Sequence, residues 1–101
     1  MFNDKVYELT KLIPKGKVTT YGEIARKLGN KNYARAVGNA LHNNPYPVFV
    51  PCHRVVNSQG NLAKNFGSHG KIKTQEKLLK SEGVEVINYK VDLERYLYIF
   101  E

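Results

Sequence analysis

Cysteine occurs once in the 101 residues, as Cys52, so no internal disulfide and no multi-thiolate zinc site can be built. A chain of this length without such staples must rest on one hydrophobic core. It suits a reducing compartment, and a cytoplasmic location is expected. No apolar run approaches the roughly eighteen residues that span a bilayer, and no membrane partner is expected. The opening Met1-Phe2-Asn3-Asp4-Lys5 lacks the layout of a secretory signal. Repeats, low-complexity tracts and linkers are missing too, so a single domain over residues 1–101 is expected. Histidine is scarce, and His42, His53 and His69 show no ligand spacing. No metal and no cofactor are expected.

Acidic residues are also few: 9 against 16 lysines and arginines, a net charge of +7 and a pI near 9.6. That balance favours a polyanionic partner, because each neutralised phosphate releases condensed counterions. A solvated lysine-rich surface gives the same charge. The cations run through the folded part, as Lys11, Lys15, Lys17, Arg26, Lys27, Lys31 and Arg35, which fits a groove-binding module better than a sticky tail.

Periodicity predicts a first helix over about Asn3 to Ile13 with Val6, Leu9 and Ile13 inward, broken by Pro14-Lys15-Gly16-Lys17. Thr20-Tyr21-Gly22-Glu23 reads as a capping box opening a second helix that buries Ile24, Ala25 and Leu28 and stops at Gly29. A third helix is predicted from about Tyr33 to Asn43, with Ala34, Val37 and Leu41 on its core face. Arg35, Gly38, Asn39 and His42 share another face. Two short helices with a tight connection, the second basic, suggest helix-turn-helix. The outer face of the third helix is small, with Ala36, Gly38 and Asn39 around Arg35. Small residues permit close approach to a minor groove only about 6 Å wide, and equally permit tight helix packing at Gly38.

Beyond Asn43-Asn44-Pro45-Tyr46-Pro47, the run Val48-Phe49-Val50 is expected to be buried and leads into Pro51-Cys52-His53-Arg54-Val55-Val56. Ser58-Gln59-Gly60-Asn61 signals a turn and a small hairpin or wing. Residues 63–70 read as a loop beside this segment. A helix is expected from about Lys71 to Ser81 burying Ile72, Leu78 and Leu79, then a strand at Val84 to Ile87. Asp92 should cap a last turn that docks Leu93, Tyr96 and Leu97. The fold class is therefore mainly α, a winged helix-turn-helix DNA-binding domain with a small β hairpin.

A lone cysteine is ordinarily a small buried hydrophobe. Cys52, however, lies between a proline and His53-Arg54 after an apolar run, and neighbouring cations raise the thiolate fraction. An adjacent histidine needs a turn or a bridging water to serve the thiol, and a third group to orient its ring. Glu76, Glu82, Glu85, Asp92 and Glu94 are the acidic candidates, with Glu82 at a helix end well placed for burial.

Pro51-Cys52-His53-Arg54-Val55 resembles the active-site motif of the O6-alkylguanine-DNA alkyltransferases, also called methylated-DNA–protein-cysteine methyltransferases. Gly16-Lys17-Val18-Thr19-Thr20-Tyr21-Gly22-Glu23-Ile24-Ala25, Ala34-Arg35-Ala36-Val37-Gly38, Asn43-Asn44-Pro45 and Glu82-Gly83 match in order, covering nearly the whole chain as that family's C-terminal domain. The resemblance implies a monomer acting on double-stranded DNA that contains O6-alkylguanine. Cys52 would take the alkyl group irreversibly, His53 would be the base through a water, Glu82 would orient it, and Asn44 would tie the recognition helix to the active-site turn. Arg35 would fill the space of a flipped nucleotide, and Tyr21 would crowd the phosphate. Ala34, Ala36, Gly38 and Asn39 would face the groove, while Val55, Phe66, Gly67 and Ser68 would line the pocket. Two departures stand out. Phe66 replaces a tyrosine of the family loop, and the family's N-terminal domain has no counterpart in these residues. The chain is as short as the alkyltransferase-like proteins, which bind alkylated guanine without repairing it, but those carry another residue at the position of Cys52.

Overall fold

The computed structural model describes residues 2–46, 49–63 and 72–101. Helix α1 spans Phe2–Lys11 and buries Val6 and Thr10, whose hydroxyl donates to the Val6 carbonyl at 2.7 Å. The helix ends earlier than the periodicity suggests. Leu12 and Ile13 donate three residues back, to Leu9 and Thr10, so the last turn tightens and carries Ile13 into the core from beyond the helix.

Strand β1 is the pair Thr19–Thr20, which runs directly into α2, Tyr21–Lys27. Thr20 caps α2 by accepting from the Glu23 N–H at 3.0 Å. The reciprocal half of the box is not made. The Glu23 carboxylate instead takes two bonds from Arg26, at 2.9 and 2.7 Å, and one from the Phe100 N–H at 2.9 Å. Gly29, at φ +106°, ends the helix in the left-handed region. A 3-10 turn, Lys31–Tyr33, leads into α3, Ala34–His42, which buries Val37, Ala40 and Leu41. Helices α1, α2 and α3 close over one cluster with Val6, Ile13, Ile24, Ala25, Val37, Leu41 and Phe100, and Cys52 and Val55 belong to it.

A second 3-10 turn, Cys52–Arg54, opens into β2, Val55–Val56. Here the expected hairpin is corrected. Strand β2 pairs in parallel with β1, Thr19 opposite Val55 and Thr20 opposite Val56, so among the described residues the two-stranded sheet is a crossover between helix-turn-helix and the Cys52–Arg54 turn. The turn signal itself is real. Asn57 accepts from Gln59 and Asn61 N–H, both at 2.9 Å, and Gly60 donates back to it. Past that turn the chain leaves β2 and pairs with 89–91, with Gly60 at φ +87° against Val91. A Cβ on Gly60 would stand 2.2 Å from the Val91 carbonyl oxygen.

Helix α4, Ile72–Ser81, and α5, Leu93–Tyr96, complete the order. Asp92 caps α5 by accepting from the Glu94 N–H at 3.0 Å. The strand expected at Val84 to Ile87 is not formed; Val84 and Val86 are buried in irregular backbone within a second cluster with Val18, Val56, Leu62, Leu79, Val91 and Tyr96. Residues 96–98 lie beside β1, with Val18 donating to Tyr96 O and Tyr98 donating to Val18 O.

Candidate active site and nucleic-acid interface

The 3-10 turn solves the problem that adjacency poses, because it places the side chains of Cys52 and His53 off an extended path. Both are buried, at 6% and 1% exposure. Burial pushes the Cys52 thiol above its usual range, and the Asn44 side chain and the N–H groups of Cys52 and His53 pull only partly against it. The resting group is a thiol, and forming the thiolate requires a base.

His53 is arranged to be one. Its Nε2 lies 3.0 Å from Glu82 Oε2, which assigns the ring proton to Nε2 and leaves the lone pair on Nδ1. Nδ1 is buried and has no hydrogen-bond partner among the described residues. Desolvation lowers the His53 pKa although Glu82 raises it, so the ring is neutral at neutral pH. Glu82 follows directly on α4 with its side chain 11% exposed. Burial raises its pKa, but hydrogen bonds from Arg54 and His53 more than offset this and hold it below the usual carboxylate range.

Arg54 is the partner that sequence reasoning missed. It was expected to act as a cation near the thiol; its guanidinium instead grips both Glu82 oxygens, at 2.9 and 2.6 Å, and donates to Ile13 O at 2.8 Å. The signal was present in the motif, but the direction of a long side chain is set by partners remote in sequence. Asn44 spans from the end of α3 toward the turn, donating to Val50 O at 3.0 Å and accepting from the Tyr46 N–H at 2.8 Å. Val55 is buried in the cluster that includes Cys52. Phe66, Gly67 and Ser68 lie outside the described residues.

Tyr21, at the start of α2, has a phenol pKa raised by burial and, secondly, by the neighbouring Cys52 charge. Its ring covers Gly38, whose added Cβ would meet ring carbons at 3.9 Å. On α3, Arg35 and Asn39 are exposed, and Ala34, Ala36 and Gly38 are half-buried. No hydrogen bond or ion pair engages the Arg35 guanidinium among the described residues. Gly38→Ala separates the two explanations of this small face. The added methyl finds ordinary contact with Tyr21, and removing a mid-helix glycine stabilises by about 0.5–1 kcal/mol. The thermal midpoint should rise by a few degrees, while duplex affinity in a filter or anisotropy assay falls severalfold if the face approaches a groove. Unchanged affinity would remove the groove-approach explanation of Gly38.

Short helices presenting a basic outer face, with a buried thiol–imidazole–carboxylate series just behind, define a helix-turn-helix DNA-binding domain with a candidate nucleophile. The family described as 6-O-methylguanine DNA methyltransferase, DNA binding domain, matches residues 1–84, and the chain belongs to that family. Alkyltransferase-like protein 1 of Schizosaccharomyces pombe is 42% identical over 102 aligned positions, covering 96% of this chain and 94% of that protein. The methylated-DNA–protein-cysteine methyltransferase of Thermococcus barophilus is 48% identical over 86 positions, covering 83% of this chain but 45% of that protein, so this chain spans about half the length of such relatives. The crystal structure of S. pombe Atl1 in complex with damaged DNA containing O6-carboxymethylguanine superposes with a TM-score of 0.84 at 45% identity, over 96% of this chain and 94% of that one.

Proposed function

We propose that this chain takes up O6-alkylguanine from duplex DNA and transfers the alkyl group irreversibly to Cys52. The observation that carries the reading is the neutral His53 ring, held through Nε2 by Glu82 with a buried Nδ1 that has no partner among the described residues, next in sequence to the buried Cys52 thiol. The O6 substituent is out of reach inside a stacked duplex, so the nucleotide must be rotated out at a cost of a few kcal/mol. The Cys52 proton passes to His53 Nδ1 through a water. The Sγ–C bond forms as the O6–C bond breaks, and the proton ends on the released guanine. Asn44 holds the recognition helix to the turn, Tyr21 supports the flipped phosphate and base, and Val55, with Phe66, Gly67 and Ser68, walls the pocket. The protein is consumed once per lesion. Intact-mass measurement after incubation with an O6-methylguanine duplex should show a gain of about 14 Da, one CH2, located on Cys52.

The second reading is capture of the lesion without transfer, as a flag for another repair route. It is favoured by the full-length likeness to alkyltransferase-like protein 1. Tight, selective binding of the methylated duplex with no gain in mass would establish it over the first.

Arg35 separates two ways of holding DNA. As a phosphate contact alone it would tolerate lysine, and Arg35→Ala would flatten the salt dependence by a slope of about one. As a finger it must fill the vacated base position and hydrogen-bond the orphaned partner, which the planar guanidinium does and the ammonium does not. Arg35→Lys should therefore slow transfer in duplex DNA, and the defect should shrink when the guanine is mismatched or single-stranded. A fluorescent base analogue at the lesion reads the flipping step, and unchanged flipping in Arg35→Ala would reduce Arg35 to a phosphate contact.

A further inference from the structure

Among the described residues Thr10, Thr19 and Gln75 are fully buried polar side chains without a place in the scheme above, and of these only Gln75 carries an amide. Gln75, in the middle of α4, is 0% exposed. It lies four residues before Leu79, on the face that α4 turns to the core, where an apolar residue would be the ordinary choice. Its amide nitrogen donates to the carbonyls of His53 and Val55, both at 3.1 Å, and its oxygen accepts from the Ala63 N–H at 2.8 Å. The two acceptors flank Arg54, so the amide fixes the exit of the nucleophile turn. The third partner, Ala63, comes shortly after the turn at 57–61 that leads out of β2. The same helix delivers Glu82 to His53 from its C-terminal end. One rigid element thus holds the exit of the turn at two points and reaches Ala63 with the same side chain.

We propose that Gln75 is a positioning residue that fixes the Cys52–His53 turn against α4 and the backbone at Ala63; this rests on the reading of the site as an alkylguanine acceptor. A single amide joining both parts makes their separation depend on one side chain. Satisfying all three backbone groups inside the core leaves it little freedom to shift. The geometry is specific to glutamine. Glutamate keeps the acceptor for Ala63 but loses both donors, and methionine keeps the length but loses every bond.

The test uses Gln75→Met and Gln75→Glu with duplexes containing O6-methylguanine or guanine. Transfer is measured at saturating DNA, per folded molecule, well below each variant's own thermal midpoint. Gln75→Met should slow transfer by at least about tenfold, since sub-ångström misplacement of reacting groups is costly, while affinity for the unmodified duplex stays within about twofold. Gln75→Glu should be slow at neutral pH and regain rate on acidification, as its carboxyl gains a proton that can again be donated to a carbonyl. This is opposite in sign to the acid limb of the wild-type protein. Rates unchanged per folded molecule, or equal loss of affinity for both duplexes, would make Gln75 merely structural and overturn the proposal. If the wild-type protein gains no mass, the transfer reading fails and the binding arm decides. Positioning then requires the preference for methylated over plain duplex to fall at least about fivefold in Gln75→Met, and an unchanged preference sinks it.

Discussion

Cys52→Ala should abolish the expected gain in mass on an O6-methylguanine duplex while leaving lesion affinity within about threefold of wild type, a change of little more than half a kcal/mol. The expectation follows from where the groups stand. The thiol is 6% exposed behind the outer face of α3, whereas Arg35 and Asn39 are exposed on that face. Removing a sulfur from the cluster with Val55 and Val37 costs some stability, but Asn44 still reaches Val50 and the turn is still held by Gln75 and Arg54. Denaturant midpoints taken alongside the mass spectra separate a folding loss from a chemical one. Continued removal of methyl groups by Cys52→Ala protein would make the nucleophile assignment wrong.

Loss of the base should be nearly as severe. His53→Ala should slow transfer by about 10²–10⁴-fold at neutral pH, the usual worth of a positioned proton acceptor, and Glu82→Gln should slow it by about 10²-fold. The pH profiles carry the sharper forecast. The base must be neutral, and its folded pKa lies below 6.5, so wild-type transfer should hold through neutrality and fall only on acidification past that lowered value. Glu82 is what raises the His53 pKa against desolvation. Its replacement by glutamine therefore moves the acid limb to still lower pH while dropping the plateau. At the alkaline end, the raised thiol of Cys52 ionises only above its ordinary value of 9.0, so the His53→Ala defect should narrow there as hydroxide replaces the imidazole. Single-turnover rates between pH 5 and 10 give all three trends, read beside duplex affinity. An acid limb that moves upward in Glu82→Gln, or equal losses of binding and rate, would place these residues in the DNA interface or the core instead.

Glu82→Gln also bears on stability, with the same sign. The carboxylate's folded pKa is lowered, so its contribution is present above the unfolded value and is lost as pH falls through the folded one. The neutral, buried His53 adds to acid sensitivity, since unfolding lets it take a proton.

Much of this molecule was legible in its residues because the relevant signals are local. Helical spacing located α1 through α4 to within a few residues, Thr20 and Asp92 announced their caps, and Gly29 announced a helix end. Each depends on neighbours one to four positions away. The Pro51-Cys52-His53-Arg54 run pointed to the turn that holds the candidate site, and Glu82 was singled out as an acid placed for burial at a helix end. What tertiary structure alone decided involves partners far apart in the chain. Two-residue strands carry no periodicity, so nothing local distinguishes a hairpin after Val56 from the parallel pairing with Thr19–Thr20. Glu23 fits a capping box by spacing, yet the C-terminal Phe100 and Arg26 claim its carboxylate. Arg54 and Gln75 look like ordinary polar residues until folding surrounds them. Burial then makes every unpaired donor and acceptor costly, which locks Arg54 onto Glu82 and Ile13, and Gln75 onto three backbone groups.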